Sequence, residues 1–130
     1  MSEHTAQAAF ITEILYIYRN DDSFIRPLFF SVPNGAVLGG NRFALAAKLK
    51  SEGMVSGVAD ILYLQPRGDH SFFALEMKKE ERKREKNGGL SGEQEHWLRS
   101  AQRVGAYIAV CYNTDESVKE FTHYMGLEPK

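Results

Sequence analysis

Two carboxylates and a lysine near the middle of the chain have the types and the spacing for chemistry on a phosphate. Asp60 follows Gly57-Val58-Ala59 and opens the apolar run Ile61 to Leu64, while Glu76 closes the run Phe72-Phe73-Ala74-Leu75 and precedes Lys78 by two residues. Each carboxylate lies eight residues from Gly68. A hairpin turning about Gly68 therefore sets them opposite each other, where paired Cβ atoms are about 4.5–5.5 Å apart. Alternation along a strand puts Lys78 on the face of Glu76 and sends Met77 to the other. Two carboxylates at a sheet edge make half a shell for Mg²⁺, which takes near-octahedral oxygen ligands and keeps waters that phosphate oxygens can replace. Such an ion would polarise a phosphoryl oxygen and acidify a water, with Lys78 orienting the attacking water and stabilising charge on phosphorus. On spacing alone the three charges could equally be a solvated ion-pair cluster. Against that, both carboxylates terminate runs that read as buried, where an anion without a ligand is costly.

The elements that must position these groups follow from periodicity and punctuation. Phe10, Ile14, Leu15, Ile17 and Tyr18 recur at helical spacing within residues 5–20, with Ser2 or Thr5 as caps. Leu28 to Val32 reads as a strand closed by the turn Pro33-Asn34-Gly35. Asn41 is a good N-cap for a short helix with Phe43, Ala46, Ala47 and Leu49 on one face, ending at a Gly53 suited to the C′ position. Ile61 to Leu64 and Phe72 to Met77 form an antiparallel hairpin around the polar turn Gln65 to His70. Ser91-Gly92-Glu93-Gln94 has the form of a capping box and opens a helix that runs through Trp97, Leu98 and Ala101 to Gly105. Tyr107 to Tyr112 is a strand. Thr114 caps a last helix with Val118, Phe121 and Met125 inward, stopped by Gly126. The order is αβαββαβα, an α/β domain with a central mixed β-sheet flanked by helices.

With 130 residues, 43% of them apolar, the expectation is one domain spanning residues 1–130, with its core within about residues 10–125. A net charge of −1 excludes a polybasic tail protein. The single cysteine, Cys111, excludes an internal disulfide framework and a thiolate metal cage. No apolar run reaches the roughly 20 residues of a membrane span, and Met1-Ser2-Glu3-His4 lacks a basic, then hydrophobic, leader. The reading is a soluble, intracellular protein in a reducing compartment, with no membrane partner. The histidines 4, 70, 96 and 123 are scattered, and the Gly35 to Gly40 stretch lacks the Lys-Ser/Thr of a phosphate loop. Histidine-bound zinc and NTP hydrolysis are disfavoured. Trp97 and Phe121 sit on helical stripes and read as core.

Taken together, Pro33-Asn34-Gly35, Ala46 to Gly53, Ser56-Gly57-Val58-Ala59-Asp60-Ile61-Leu62, Leu75-Glu76-Met77-Lys78, Leu90 to Leu98 and Gly105-Ala106-Tyr107 occur in an order that carries a family pattern. The sequence resembles the VRR-NUC (virus-type replication-repair nuclease) domains of the PD-(D/E)xK nuclease superfamily over about residues 10–125. The resemblance implies a restriction-endonuclease-like fold and a metal-dependent nuclease using Mg²⁺ or Mn²⁺. It puts the metal ligands on Asp60 and Glu76, with the backbone carbonyl of Met77, the catalytic lysine on Lys78 and an active-site glutamine on Gln94. The acidic residue that such domains carry near the metal falls on Glu13, with Glu3 as its rival. One departure is Ala59, where family members usually have proline before the aspartate; the aspartate itself is unaffected.

Gln94 has two readings that stay open: it could bond back to the backbone of Ser91 as a capping-box residue, or it could contact a phosphate or a water at the helix N-terminus. The run from Lys78 to Lys86 carries six basic and three acidic residues. Because it leaves the strand that ends in the site, Lys79, Arg82, Lys83 and Arg84 are expected on the phosphate backbone, with Asn34, Arg42 and Lys48 adding to the same groove. Small members of the family imply a junction-cleaving enzyme of phage or bacterial origin, cytoplasmic and concerned with DNA repair. That likeness also implies a branched DNA such as a Holliday junction as substrate, and a homodimer that cuts two strands. The alternative is a non-cleaving nucleic-acid-binding module of the same fold; a structural or interaction protein is a third class.

Overall fold

A computed structural model describes residues 2–33 and 42–130. Helix α1 spans Glu3–Ile17, strand β1 Phe29–Ser31, helix α2 Arg42–Ser51, strands β2 Ile61–Tyr63 and β3 Phe73–Met77, helix α3 Gly92–Arg103, strand β4 Tyr107–Cys111 and helix α4 Thr114–Met125. The order αβαββαβα and the mixed sheet are as expected from the sequence. The sheet runs β1-β2-β3-β4, antiparallel across the first two pairs and parallel between β3 and β4. A parallel pair needs a crossover, and α3 supplies it.

Alternation on β3 divides the core. Phe73, Leu75 and Met77 face α1 and α4, where Phe10, Ile14, Phe29, Tyr63, Phe121 and Tyr124 pack around them. Phe121 makes edge or tilted contacts with Phe10, Phe29, Tyr63 and Phe73, the geometry the ring quadrupole favours. The opposite face holds the small residues Ala59 and Ala74 under Leu98, with Trp97 packed alongside. Glu76 and Lys78 share that second face by the same alternation.

Several local expectations shift. Ser2 caps α1 by accepting from the Thr5 N–H. The last helix is capped one residue earlier than expected: Asn113 Oδ1 accepts from the Glu116 N–H, and the Thr114 hydroxyl donates instead to the Ala6 carbonyl. Gly53 adopts φ +106°, and its N–H and that of Met54 turn back to Lys50 and Leu49, as a glycine C-cap requires. Phe43 does not join a buried face: it is 90% exposed, and no described residue of α2 is fully buried. Within the polar turn Gln65 to His70, Gln65 and Arg67 are buried beneath the C-terminal segment, while Pro66 and Asp69 stay exposed. No helix among the described residues is long and apolar enough to cross a membrane.

Candidate active site

The hairpin pairs Ile61 with Leu75, Leu62 with Ala74 and Tyr63 with Phe73. The same register sets Asp60 against Glu76, with Gly68 at the centre of symmetry. Asp60 is held from both sides of its backbone and side chain: its carbonyl accepts from the Val32 N–H at 2.8 Å, and its Oδ2 accepts from the Met77 N–H at 2.8 Å. An extended residue sends its N–H and C=O to the same edge, so the Met77 carbonyl leaves β3 on the side of Asp60.

Glu76 is only 2% exposed, and its two oxygens differ. Oε2 accepts from Gln94 Nε2 at 3.2 Å and lies 3.9 Å from Lys78 Nζ, whereas Oε1 is buried with no hydrogen-bond partner among the described residues. Burial and, next, the charge of Asp60 push the Glu76 carboxyl up to about 9, and the Lys78 ammonium opposes that shift. A cation bound beside Glu76 would favour its ionised form.

Gln94 makes the capping-box bonds, and its amide nitrogen reaches the Glu76 carboxylate. Its Oε1 accepts from the Ser91 N–H at 2.9 Å, the Ser91 hydroxyl accepts from the Gln94 N–H at 3.1 Å, and Nε2 is left to reach Glu76. The capping box thereby fixes the amide that contacts the carboxylate. Gly57 locks this helix end to the segment bearing Asp60. It has φ +84°, and a Cβ there would lie 2.5 Å from the backbone of Glu93. The loop and α3 thus touch backbone to backbone, as only glycine permits.

These groups line a cleft of about 460 Å³ together with Glu3, Ala46, Lys50, Met54, Val55, Ser56, Ser91 and Glu93. The acidic residue that α1 brings to the cleft is Glu3. Glu13 is not brought there: it lines a groove on the outer side of α1 with Thr5, Ala8, Ala9, Thr12 and Tyr16. Lys50 is the cation that sequence reasoning missed, and its i, i+4 relation to Ala46 was the available signal. Lys48, on another azimuth of α2, does not line the cleft. Asn34 and the side chain of Arg42 lie outside the described residues.

The basic run leaves β3 through a 3₁₀ turn at Glu80–Arg82 and another at Lys86–Gly89. Lys79 and Lys78 border a small recess with Ser2, Glu3, Tyr112 and Asn113. Arg84 is exposed, but Arg82 pairs with Glu85 at 3.1 Å and Lys83 with Glu116 at 2.8 Å. Tyr112 pins the segment by donating to the Gly88 carbonyl at 2.8 Å.

The cleft carries four carboxyl groups, Glu3, Asp60, Glu76 and Glu93, against the two ammonium groups of Lys50 and Lys78. Such a site repels a phosphate until positive charge is added. Among the described residues no group of three or more His, Cys, Asp and Glu is placed to enclose an ion by itself. The donor set is instead a carboxylate pair with an orphaned buried oxygen beside a backbone carbonyl, which suits an ion that keeps part of its water shell.

A four-stranded mixed sheet with helices on both faces and an acidic pair with a lysine at one strand end is a restriction-endonuclease-like α/β domain. A solved structure described as a VRR_NUC domain protein superposes with a TM-score of 0.75 over 98% of this chain and 91% of its own, at 17% identity. The chain thus has a VRR-NUC-like fold. No protein-family model and no curated protein matches the sequence.

Proposed function

We propose that this protein is a deoxyribonuclease that hydrolyses phosphodiester bonds with Mg²⁺ or Mn²⁺ held by Asp60, Glu76 and the Met77 carbonyl. The observation that carries the reading is the buried Glu76 Oε1, left without a hydrogen-bond partner among the described residues and beside a second carboxylate. A structural carboxylate so placed would be strongly destabilising. A divalent cation between the pair removes that cost. When bound, the ion supplies Lewis-acid stabilisation of the phosphoryl oxygens and lowers the pKa of a water.

The chain's own groups do the rest. The Met77 N–H keeps the Asp60 carboxylate turned to the cleft. Lys78 Nζ, held near Glu76, orients the attacking water and offsets the charge that builds on phosphorus. Gln94 Nε2 holds Glu76 Oε2 and leaves Oε1 for a ligand. Lys50, which lines the same cleft, holds the neighbouring phosphate. Glu3 takes the place on α1 that the family resemblance assigns to an acidic residue. Lys79 and Arg84 follow the strand as it leaves the cleft. Branched DNA as substrate and a homodimer cutting two strands come from that resemblance.

The test is incubation with linear, flapped, splayed and four-way DNAs in Mg²⁺, Mn²⁺ or chelator, beside Glu76→Ala and Lys78→Ala. Cutting that needs the metal and is lost in both variants is expected. Metal-dependent cutting that survives both substitutions sinks the assignment. Mn²⁺ binding by calorimetry without any cutting would favour a non-cleaving binding module.

A further inference from the structure

Phe43 is 90% exposed, the highest value for any large apolar side chain among the described residues, and it lies outside both core clusters. An exposed aromatic is unremarkable on its own, but this one has a defined azimuth. An α-helix turns about 100° per residue, so residue i+7 returns to within about 20° of residue i. Phe43 therefore stands in line with Lys50 on α2, and Lys50 lines the cleft with Ala46 of the same helix. Two turns separate them along the axis, about 10 Å, which is the rise of roughly three stacked nucleotides of one strand. Met54 and Val55 add apolar surface to the cleft.

Resting on the nuclease reading above, we infer that Phe43 is a stacking platform for an unpaired nucleobase flanking the scissile phosphate, and that it selects DNA with a splayed or single-stranded segment over fully paired duplex. A phosphate held at Lys50 runs the strand along α2 toward the ring. A paired base has both faces covered, and opening a step costs a few kcal/mol. An unpaired base has a free face, and an aromatic ring beneath it contributes to binding whatever the base. The ring lies beyond the residues that line the cleft, in line with Lys50, where a base that has left its pair can reach it.

The experiment compares two oligonucleotides that share one scissile site, splayed and fully paired, cut in Mn²⁺ by the parent, Phe43→Ala and Phe43→Trp. The splayed-to-paired ratio of kcat/KM should fall about tenfold in Phe43→Ala and return in Phe43→Trp. In the Glu76→Gln background, 2-aminopurine beside the scissile phosphate should be quenched on binding, and the quench should be lost in Glu76→Gln/Phe43→Ala. An unchanged ratio, an equal loss on both DNAs, or a dimer in sedimentation velocity that Phe43→Ala dissociates each overturns the role of Phe43. If the folded parent cuts none of the linear, flapped, splayed and four-way DNAs, the nuclease reading falls and this inference with it; if it cuts any of them but neither of these two, or cuts these and the ratio does not move, only this inference falls.

Discussion

Arg67 and Glu76 belong to one hairpin, each is 2% exposed, and they are treated oppositely. At the turn end, the Arg67 guanidinium donates from Nε to Gln65 Oε1, from Nη1 to the Met125 and Leu127 carbonyls, and from Nη2 to the Ser23 carbonyl and hydroxyl. That matches the five donors an arginine has. Its partners are neutral, so the buried charge is solvated by the protein and closes the C-terminal segment over the turn. At the open end, Glu76 keeps an oxygen with no hydrogen-bond partner among the described residues and stands against Asp60. A fully satisfied buried charge is a clasp, whereas one left unsatisfied waits for a ligand.

The largest expected effects come from removing each charge. Glu76→Gln should lower cleavage on the order of a thousandfold, about 4 kcal/mol of transition-state stabilisation, while urea unfolding without metal shows equal or higher stability. Arg67→Ala should do the reverse. It strands the acceptors at 23, 65, 125 and 127 and should cost about 3 kcal/mol of stability, with turnover per folded molecule within about twofold because the sites are separate. If Glu76→Gln unfolds the protein and Arg67→Ala does not, the comparison is inverted and the nuclease reading loses its main support.

Next in size is pH dependence. The Glu76 carboxyl titrates near 4.5 as a free group and is pushed up to about 9 in the fold. A raised folded pKa means that the native state binds the proton more tightly. Its stabilising contribution is therefore full below about 4.5 and fades as pH rises toward 9, by at most about 1.4 kcal/mol per pH unit. Chemical denaturation across pH 5–9 in chelator should show that decline, Glu76→Gln should flatten it, and Mn²⁺ should oppose it because a cation favours the ionised pair. A metal-free curve identical in parent and Glu76→Gln would show that neither burial nor Asp60 raises the Glu76 carboxyl.

The open end of the hairpin was legible in the sequence because alternation and a symmetric count about Gly68 are local facts, and the register bears out the pairing they imply. The turn end was not. Gln65 to His70 is polar enough to read as solvated, and its burial comes from residues 128–130 folding back, with the Gly68 N–H donating to Glu128 and that of Lys130 to Pro66. Glu3 and Glu13 were confusable because both lie on one helix. Ten residues carry a side chain about 15 Å along the axis and onto another face, and the azimuth of α1 is set by the packing of Ala6, Phe10 and Ile14. Phe43 shows the same limit: period identifies a helical stripe without saying what covers it.

A smaller effect separates the two tasks of Gln94. Gln94→Glu keeps an N3 carboxylate able to accept from the Ser91 N–H, so the capping box and the melting temperature should hold. The donor to Glu76 becomes another anion, and cleavage should drop by about 10- to 100-fold. Gln94→Ala loses both contacts and should add a stability loss of about 1 kcal/mol. Equal activity in Gln94→Glu and the parent would reduce the residue to a cap.

The smallest effect extends the distinction between committed and uncommitted charge to the surface. Each phosphate contact removed lowers the salt slope of DNA affinity by about one. Arg84→Ala and Lys79→Ala should each do this in fluorescence anisotropy with non-cutting Glu76→Gln protein. Lys83 is already engaged by Glu116 at 2.8 Å and lies over the Tyr112 ring, and that pairing holds its ammonium above the usual lysine range. Lys83→Ala should change the slope less than Arg84→Ala, because the ion pair must open before the phosphate gains a contact. An equal drop in the two variants would mean that the pair opens without cost when DNA binds, and that a partner in the free protein does not predict which surface cations DNA recruits.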